Sequence, residues 1–342
     1  MNVLPVSRES LIKGAEILKN GGLTAFPTET VYGLGADAFN PIALAKVFEV
    51  KRRPHFDPLI IHIAAIETLE KVCDFSKINE ETRKRLFLLA EGLWPGPLSI
   101  ILPKNERIPG IATSGLETAA IRFPDNKAAC ELISLSSGAV AAPSANPFGS
   151  LSPTRAEHVL SGLGDKVDLI LDGGPCRIGV ESTVLDITDG NIKILRPGGT
   201  PREAIENLIG DVQGKDSREQ GVGSNEQGLA SPGMLRSHYA PRTPLFIFSR
   251  EKIIEKPFNA DSAYLFYDGC TRDAWKNIYK PPRDAAVWTL CETGDLLEAA
   301  SNLFETLHEI DKSGALSIIA ESAPCRGLGE AINDRLRRGA GI

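Results

Sequence analysis

Two short apolar runs set the limits on what this chain can fold into. "PLIIHIA" (58–64) and "PLSIILP" (97–103) each open on proline and contain almost nothing polar. Runs of this length without alternation are strands buried on both faces, and a sheet covered on both sides needs helices to cover it. The chain supplies them. A helical pattern from Glu9 to Lys19 stops at Gly21-Gly22, and "LTAFPT" follows as a strand. Residues 80–92 read as a helix between the two apolar runs. "ETAAIRFP", "GAVAAPSAN" and "VDLILDGG" continue the strand series, separated by helical patterns around 126–136 and 154–162. "STVLDITDGNIKILRPGG" predicts a hairpin, because Asp189-Gly190 supplies the turn between two alternating runs. An antiparallel pair in such a series excludes a simple doubly wound sheet and predicts an α/β fold with a mixed sheet.

From Asp211 the character changes. "DVQGKDSREQGVGSNEQGLA" is polar, glycine-rich and aperiodic, the signature of a linker. Beyond it "LFIFS", "AYLFYDG", "AAVWTL" and "ALSIIAES" read as strands, with helices at 295–311 and 328–338. The expected organisation is a catalytic-sized domain over 1–210, a linker over 211–241 and a smaller α/β domain over 242–342.

Charge narrows the function. The net charge is −6, and residues 1–210 hold 22 Lys/Arg against 25 Asp/Glu, so no part of the chain is a basic nucleic-acid module. Six scattered cysteines, without CxxC or histidine at zinc spacing, suit a reducing compartment. No apolar stretch of about 18 residues is present and the N-terminus lacks a signal-peptide core, so a cytoplasmic location is expected.

Familiar motifs are decoys or missing. "GLGADA" (33–38) fits G-x-G-x-x-A with Asp57 downstream, but the helix signal waits for Asn40-Pro41, and a nicotinamide site needs the glycines to open that helix. There is no P-loop and no G-x-S-x-G. His62, alternating in an apolar strand, reads alone as a hydrogen-bonded core residue. What stands out is polar residues at strand ends, where open α/β sheets place ligands. Thr28, Glu29 and Thr30 follow one strand, and Lys51 and Arg53 precede another. Arg122 lies inside "AAIRFP", Ser144 and Asn146 end "AAPSAN", Glu181, Ser182 and Thr183 open the hairpin, and Arg196 closes it. Together these describe a polar cleft with several cations, fit for phosphates plus a carboxylate.

The blocks "FPTETVYGLGADAF", "KRRPHFDPLIIHIA", "LWPGPLSIIL", "AAIRFP", "AAPSAN", "GVESTVLD", "LRPGG" and "SPGML…HYAP" occur in an order that resembles the threonylcarbamoyl-AMP synthases, in their long two-domain form. The resemblance implies a twisted open mixed sheet of YrdC type followed by a smaller Rossmann-like domain. It implies synthesis of threonylcarbamoyl-AMP and pyrophosphate from L-threonine, bicarbonate and ATP, in aid of N6-threonylcarbamoyladenosine beside the tRNA anticodon.

By the same resemblance Thr30, His62, Arg122, Ala142 and Ser182 line the threonine pocket. Arg53, Asp57, Thr118, Ser144, Asn146, Ser152, Arg196 and Tyr239 hold ATP, and Lys51 and Arg53 are catalytic. Mg²⁺ is expected as the counterion of ATP with few protein ligands. Threonylcarbamoyl-transferase proteins are the expected downstream partners, with a weak tRNA contact and no membrane. Ser231 to Pro241 would form a lid. Asp57 stands where many relatives have Asn, so it either meets Mg²⁺ or points away from the phosphates. A non-catalytic RNA-binding module is the alternative, with a steep salt dependence as its signature.

Overall fold

The computed structural model describes residues 2–188, 190–214 and 239–342. They fall into two compact units. The first draws on Met1–Phe148, Pro153–Cys176 and Glu181–Met234, the second on Gly149–Ser152, Arg177–Val180 and Leu235–Ile342.

The first unit is built on one mixed sheet. Its strands are β1 (Val3–Pro5), β2 (Thr24–Phe26), β3 (Gly33–Asp37), β4 (Ile60–Ile63), β5 (Leu98–Pro103), β6 (Thr118–Arg122), β7 (Ala139–Ala141), β8 (Leu169–Asp172), β9 (Thr183–Asp186), β10 (Lys193–Arg196) and β11 (Gln213–Gly214). Their spatial order is β1-β8-β2-β3-β7-β4-β6-β5-β9-β10-β11. Parallel pairs such as β4/β6 and β5/β9 alternate with antiparallel ones such as β5/β6, and β9/β10 is the antiparallel hairpin expected from the sequence. Its Asp189 lies outside the described residues, while Gly190 has the left-handed φ of 82° that turn glycines supply. β11 adds a short parallel strand where the sequence reads as the start of the linker.

The helices are α1 (Arg8–Lys19), α2 (Pro41–Lys51), α3 (Leu69–Val72), α4 (Glu80–Leu93), α5 (Lys127–Leu135), α6 (Ala156–Leu163) and α7 (Arg202–Ile209). Period-two alternation sorts the strand residues onto two faces. Ile61, Ile121, Ile100 and Leu185 face the larger core with Leu44, Val47 and Phe48 of α2 and Leu86 and Leu89 of α4. On the other face Phe26, Val140, Leu169 and Leu171 pack under Leu11, Ala15 and Leu18 of α1 and Leu132 and Ile133 of α5. Each leucine so buried contributes roughly 1.5–3 kcal/mol of transfer free energy. α1 and α5 cover only part of that second face. Ile60, Ala120, Ile101 and Val184 form a separate small cluster farther along it.

The glycines of "GLGADA" have a physical role that the sequence reading left open. They lie in β3, which pairs antiparallel with β2 and β7, so the G-x-G spacing is the period of a strand and not a phosphate loop. A Cβ on Gly35 would come within 2.8 Å of Phe26 Cε1 and 2.9 Å of Val140 Cγ1, and one on Gly33 within 3.3 Å of Phe26 Cζ. The two glycines leave a flat strip on which the Phe26 ring lies.

The second unit has a four-stranded, wholly parallel sheet in the order β12-β15-β13-β14, where β12 is Leu245–Phe248, β13 Ser262–Asp268, β14 Val287–Cys291 and β15 Ser317–Glu321. Its helices are α8 (Arg250–Ile254), α9 (Gly269–Tyr279), α10 (Leu296–Ile310) and α11 (Gly329–Gly339). Trp275 of α9 is fully buried against Tyr264 and Phe266, and its indole N–H donates to the Lys256 carbonyl at 2.7 Å. Among the described residues no helix is long and apolar enough to cross a membrane.

Candidate active site

The exit of α2 gathers the first group of cations. Asn40 caps the helix by accepting from the Ile42 and Ala43 amides, with Pro41 at the first turn. The helix ends in a left-handed residue, Arg52, at φ 53°. That turn leaves Arg52 exposed and sends its two neighbours inward, so Lys51 and Arg53 are both buried. Lys51 Nζ donates to the Ser144 carbonyl at 2.5 Å and to the Asn146 carbonyl. The Phe148 amide returns a bond to the Lys51 carbonyl, so "APSAN" is wrapped around this one side chain. Burial holds the Lys51 amine well below its ordinary pKa; the Arg53 charge pushes the same way, and Asp57 and Glu181 oppose it.

Arg53 is held on three sides. Its Nε donates to the Asp57 carbonyl at 3.0 Å and Nη2 to the Pro58 carbonyl at 2.9 Å, while Nη2 also lies 2.9 Å from the Asp57 carboxylate. Asp57 is completely buried. Its carboxylate is engaged in orienting Arg53.

The second group lies on the sheet face that carries Ile60, Ala120 and Ile101. Alternation places His62, Arg122, Thr118 and Ser99 on that face, and register sets His62 beside Arg122 and Arg122 beside Ser99. Arg122 Nη2 lies 2.6 Å from Glu29 Oε1, a counter-charge without which a guanidinium inside the apolar run "AAIRFP" would be costly. Glu29 sits between Thr28 and Thr30, whose hydroxyls are 2.8 Å apart. The Ala142 amide donates to the Ile60 carbonyl, bringing the end of β7 to the same strand as His62. Across β5, Ser99 Oγ and Ser182 Oγ share a hydrogen bond of 2.8 Å, and Arg196 Nη2 donates to the Ser182 carbonyl at 2.8 Å and its hydroxyl at 3.1 Å.

His62 is buried with Nδ1 3.1 Å from the Ile60 carbonyl and its ring edge-on to Phe26. Burial, seconded by the Arg122 charge, holds its pKa at about 3. The imidazole is therefore neutral near neutral pH. The folded pKa lies below the unfolded value near 6.5, so the unfolded chain binds the extra proton. Stability from this group is complete above that value and is lost as the pH falls from there toward 3. Replacing His62 by Gln is expected to flatten the acid limb of the unfolding midpoint between those limits, as followed by urea melts at stepped pH.

Ser152 and Tyr239 belong to the second unit. His308 Nε2 lies 3.2 Å from the Ser152 carbonyl. Tyr239, at φ 61°, is buried with the Arg335 guanidinium 4.9 Å over its ring and Phe304 alongside. Of the expected lid, Ser231 to His238 lie outside the described residues.

Comparison with known proteins decides the family. Residues 16–198 match the Sua5/YciO/YrdC model, described as "Telomere recombination", and residues 200–341 match that of the "Threonylcarbamoyl-AMP synthase, C-terminal domain". The chain is 40% identical over 337 residues to the threonylcarbamoyl-AMP synthase of Pyrococcus abyssi, covering 96% of this chain and 93% of the relative. The Bacillus subtilis synthase is 39% identical over 341 residues, at 99% and 95% coverage. The chain belongs to the threonylcarbamoyl-AMP synthase family. The crystal structure of P. abyssi Sua5 complexed with L-threonine superposes with a TM-score of 0.85 at 38% identity, covering 99% of this chain and 96% of that one. These likenesses favour a synthase over the RNA-binding alternative.

Within this synthase-family chain, three groups near the expected residues had no role assigned from sequence. Glu29 pairs with Arg122, Glu181 acts on Lys51, and Ser99 links Arg122's strand to Ser182. Glu29 and Glu181 stood in quoted strand-end blocks. Ser99 could have been found as the one polar residue on the inward parity of "PLSIILP". Among the described residues no group of three or more His, Cys, Asp or Glu could hold a metal ion, and Asp57 is engaged with Arg53.

Proposed function

We propose that this chain condenses L-threonine, bicarbonate and ATP into threonylcarbamoyl-AMP, releasing pyrophosphate. The observation that carries the reading is the pairing of two cationic groups in one unit: Lys51 and Arg53 fixed by carbonyls and Asp57, and Arg122 on the adjoining sheet face. The first suits phosphates and the second a carboxylate. Likeness to a P. abyssi protein crystallised with L-threonine supports the choice of amino acid.

In this reading Thr30, His62, Arg122, Ala142 and Ser182 receive threonine, and Arg53, Thr118, Ser144, Asn146 and Arg196 receive ATP. The threonine amine captures carbon dioxide or bicarbonate as a carbamate, and a carbamate oxygen attacks the α-phosphorus. The carbamate is labile, and a site that excludes water prolongs its life. Negative charge grows on the phosphates as pyrophosphate leaves. Arg53, already oriented, stabilises it without reorganising, and the incoming phosphates favour the charged form of the buried Lys51 amine, which then adds its own donors. Asp57 serves through Arg53 and not through ATP. Mg²⁺ enters as part of the ATP substrate. The product feeds N6-threonylcarbamoyladenosine formation on tRNA by partner transferases.

The test is pyrophosphate release from ATP by the purified protein. Release is expected to need both L-threonine and bicarbonate. Release that ignores threonine would reject the substrate, and no release from folded, ATP-bound protein would reject the reaction.

A further inference from the structure

Glu29 and Arg122 form a charge pair sealed inside the first unit, with side chains 1% and 4% exposed. At 2.6 Å they are close, but they do not meet as a fork. Among the described residues neither Glu29 oxygen accepts a hydrogen bond, and Arg122 Nε and Nη2 donate none. Burying two such ions costs several kcal/mol each, and the attraction offsets that only when the remaining lone pairs and protons are also used. A pair in this condition is matched to a ligand carrying both charges side by side. An α-amino acid is such a ligand: its carboxylate fits the guanidinium edge and its ammonium fits the glutamate. Thr28 and Thr30, either side of Glu29 in the chain, bond to each other through their hydroxyls at 2.8 Å and carry no charge, and neutral His62 lies beside Arg122.

We propose that Glu29 holds the α-ammonium of the amino-acid substrate and takes one of its protons, freeing the amine to attack carbon. This rests on the synthase reading above and gives its first step a base. The glutamate carboxylate accepts a proton from R–NH3⁺, and the freed lone pair forms the new N–C bond to bicarbonate carbon. The C–OH bond breaks, and the departing hydroxide leaves as water with the second amine proton. R–NH3⁺, Glu–COO⁻ and HCO3⁻ become R–NH–COO⁻, Glu–COOH and H2O, with net charge −1 on both sides.

The groups that face Glu29 are Arg122 from β6, Cys130 from α5 and Cys176 from the turn after β8. Asp125 acts on the Cys130 thiol and Arg155 on that of Cys176, and His62 of β4 acts with Arg122. Burial pushes both thiols up, Cys176 to about 12, so neither competes for the proton near neutral pH.

The experiment pairs Glu29→Gln with binding and pH measurements. By calorimetry without ATP, the variant is expected to bind L-threonine about 10- to 100-fold more weakly, the value of one charge-assisted bond. It should bind 3-hydroxybutanoate, which lacks the amine, as the parent does. Its kcat/KM for threonine should climb about tenfold per pH unit above neutrality, as solution removes the proton that Glu29 took, while the parent profile stays flat. Equal threonine affinity and parallel pH profiles would overturn the role of Glu29 alone. Failure of the parent protein to bind threonine would overturn the synthase reading instead. Should the Gln variant not fold, Glu29→Asp keeps the charge but withdraws it. It should raise KM for threonine with a flat pH profile, and an Asp variant with unchanged KM would overturn the proposal.

Discussion

Replacing Arg53 by alanine is expected to cut threonine-dependent pyrophosphate release by roughly 10²–10³ in kcat, the usual cost of removing one preorganised donor from a developing anion. The structure adds a second consequence. Arg53 lies 2.9 Å from Asp57, a carboxylate with no solvent exposure. Taking the guanidinium away leaves that charge without its main counter-ion, which costs about 3–5 kcal/mol when such a pair is broken on one side. The single variant should therefore lose both turnover and melting temperature. Arg53→Ala combined with Asp57→Ala removes both charges and should recover most of the stability while recovering none of the turnover. The two sites are in contact, so the double-mutant cycle reads their coupling directly. Turnover within about threefold of the parent in either variant would remove Arg53 from the chemistry.

The elements legible in the sequence were those whose pattern has a single local cause. β4 and β5 could be read because both their faces are buried, and the β9/β10 hairpin because its turn needs a left-handed glycine. β3 was not recognised as a strand, since G-x-G spacing belongs equally to a phosphate loop and to a strand beneath an aromatic ring; only the position of Phe26 decides between them. β1, three residues long, offers too short a pattern to register. The site shows the same division. Lys51, Arg53, Arg122 and Arg196 could be named as cations at strand and helix ends, but their partners could not. Lys51 is held by backbone carbonyls 93 and 95 residues away, which carry no side-chain signature. Ser99 meets Ser182 across 83 residues because β5 pairs with β9, a fact of topology and not of spacing.

The same topology holds the site together through the segment that follows β10. The "RPGG" segment after β10 lies directly on the start of β9. The Gly199 amide donates to the Glu181 carbonyl, and Thr183 Oγ1 accepts from the Thr200 amide while donating to the Thr200 carbonyl. A Cβ on Gly198 would overlap the Ser182 carbonyl carbon, the Glu181 oxygen and the Thr183 nitrogen, all backbone atoms with no rotamer to yield. Gly198→Ala must push the two segments apart, at a cost of about 3 kcal/mol for so rigid a collision. In a unit of this size that corresponds to a fall of roughly 6–12 °C in Tm. The separation would also draw Arg196 off Ser182 and Ser182 off Ser99, so KM for both threonine and ATP should rise together. Gly110→Ala is the control, since a Cβ there meets nothing within 4 Å, and its Tm should stay with the parent. A Gly198→Ala protein that melts with that control would mean the hairpin and its return segment are not locked. The register that sets Arg196 against Ser182 would then need another cause.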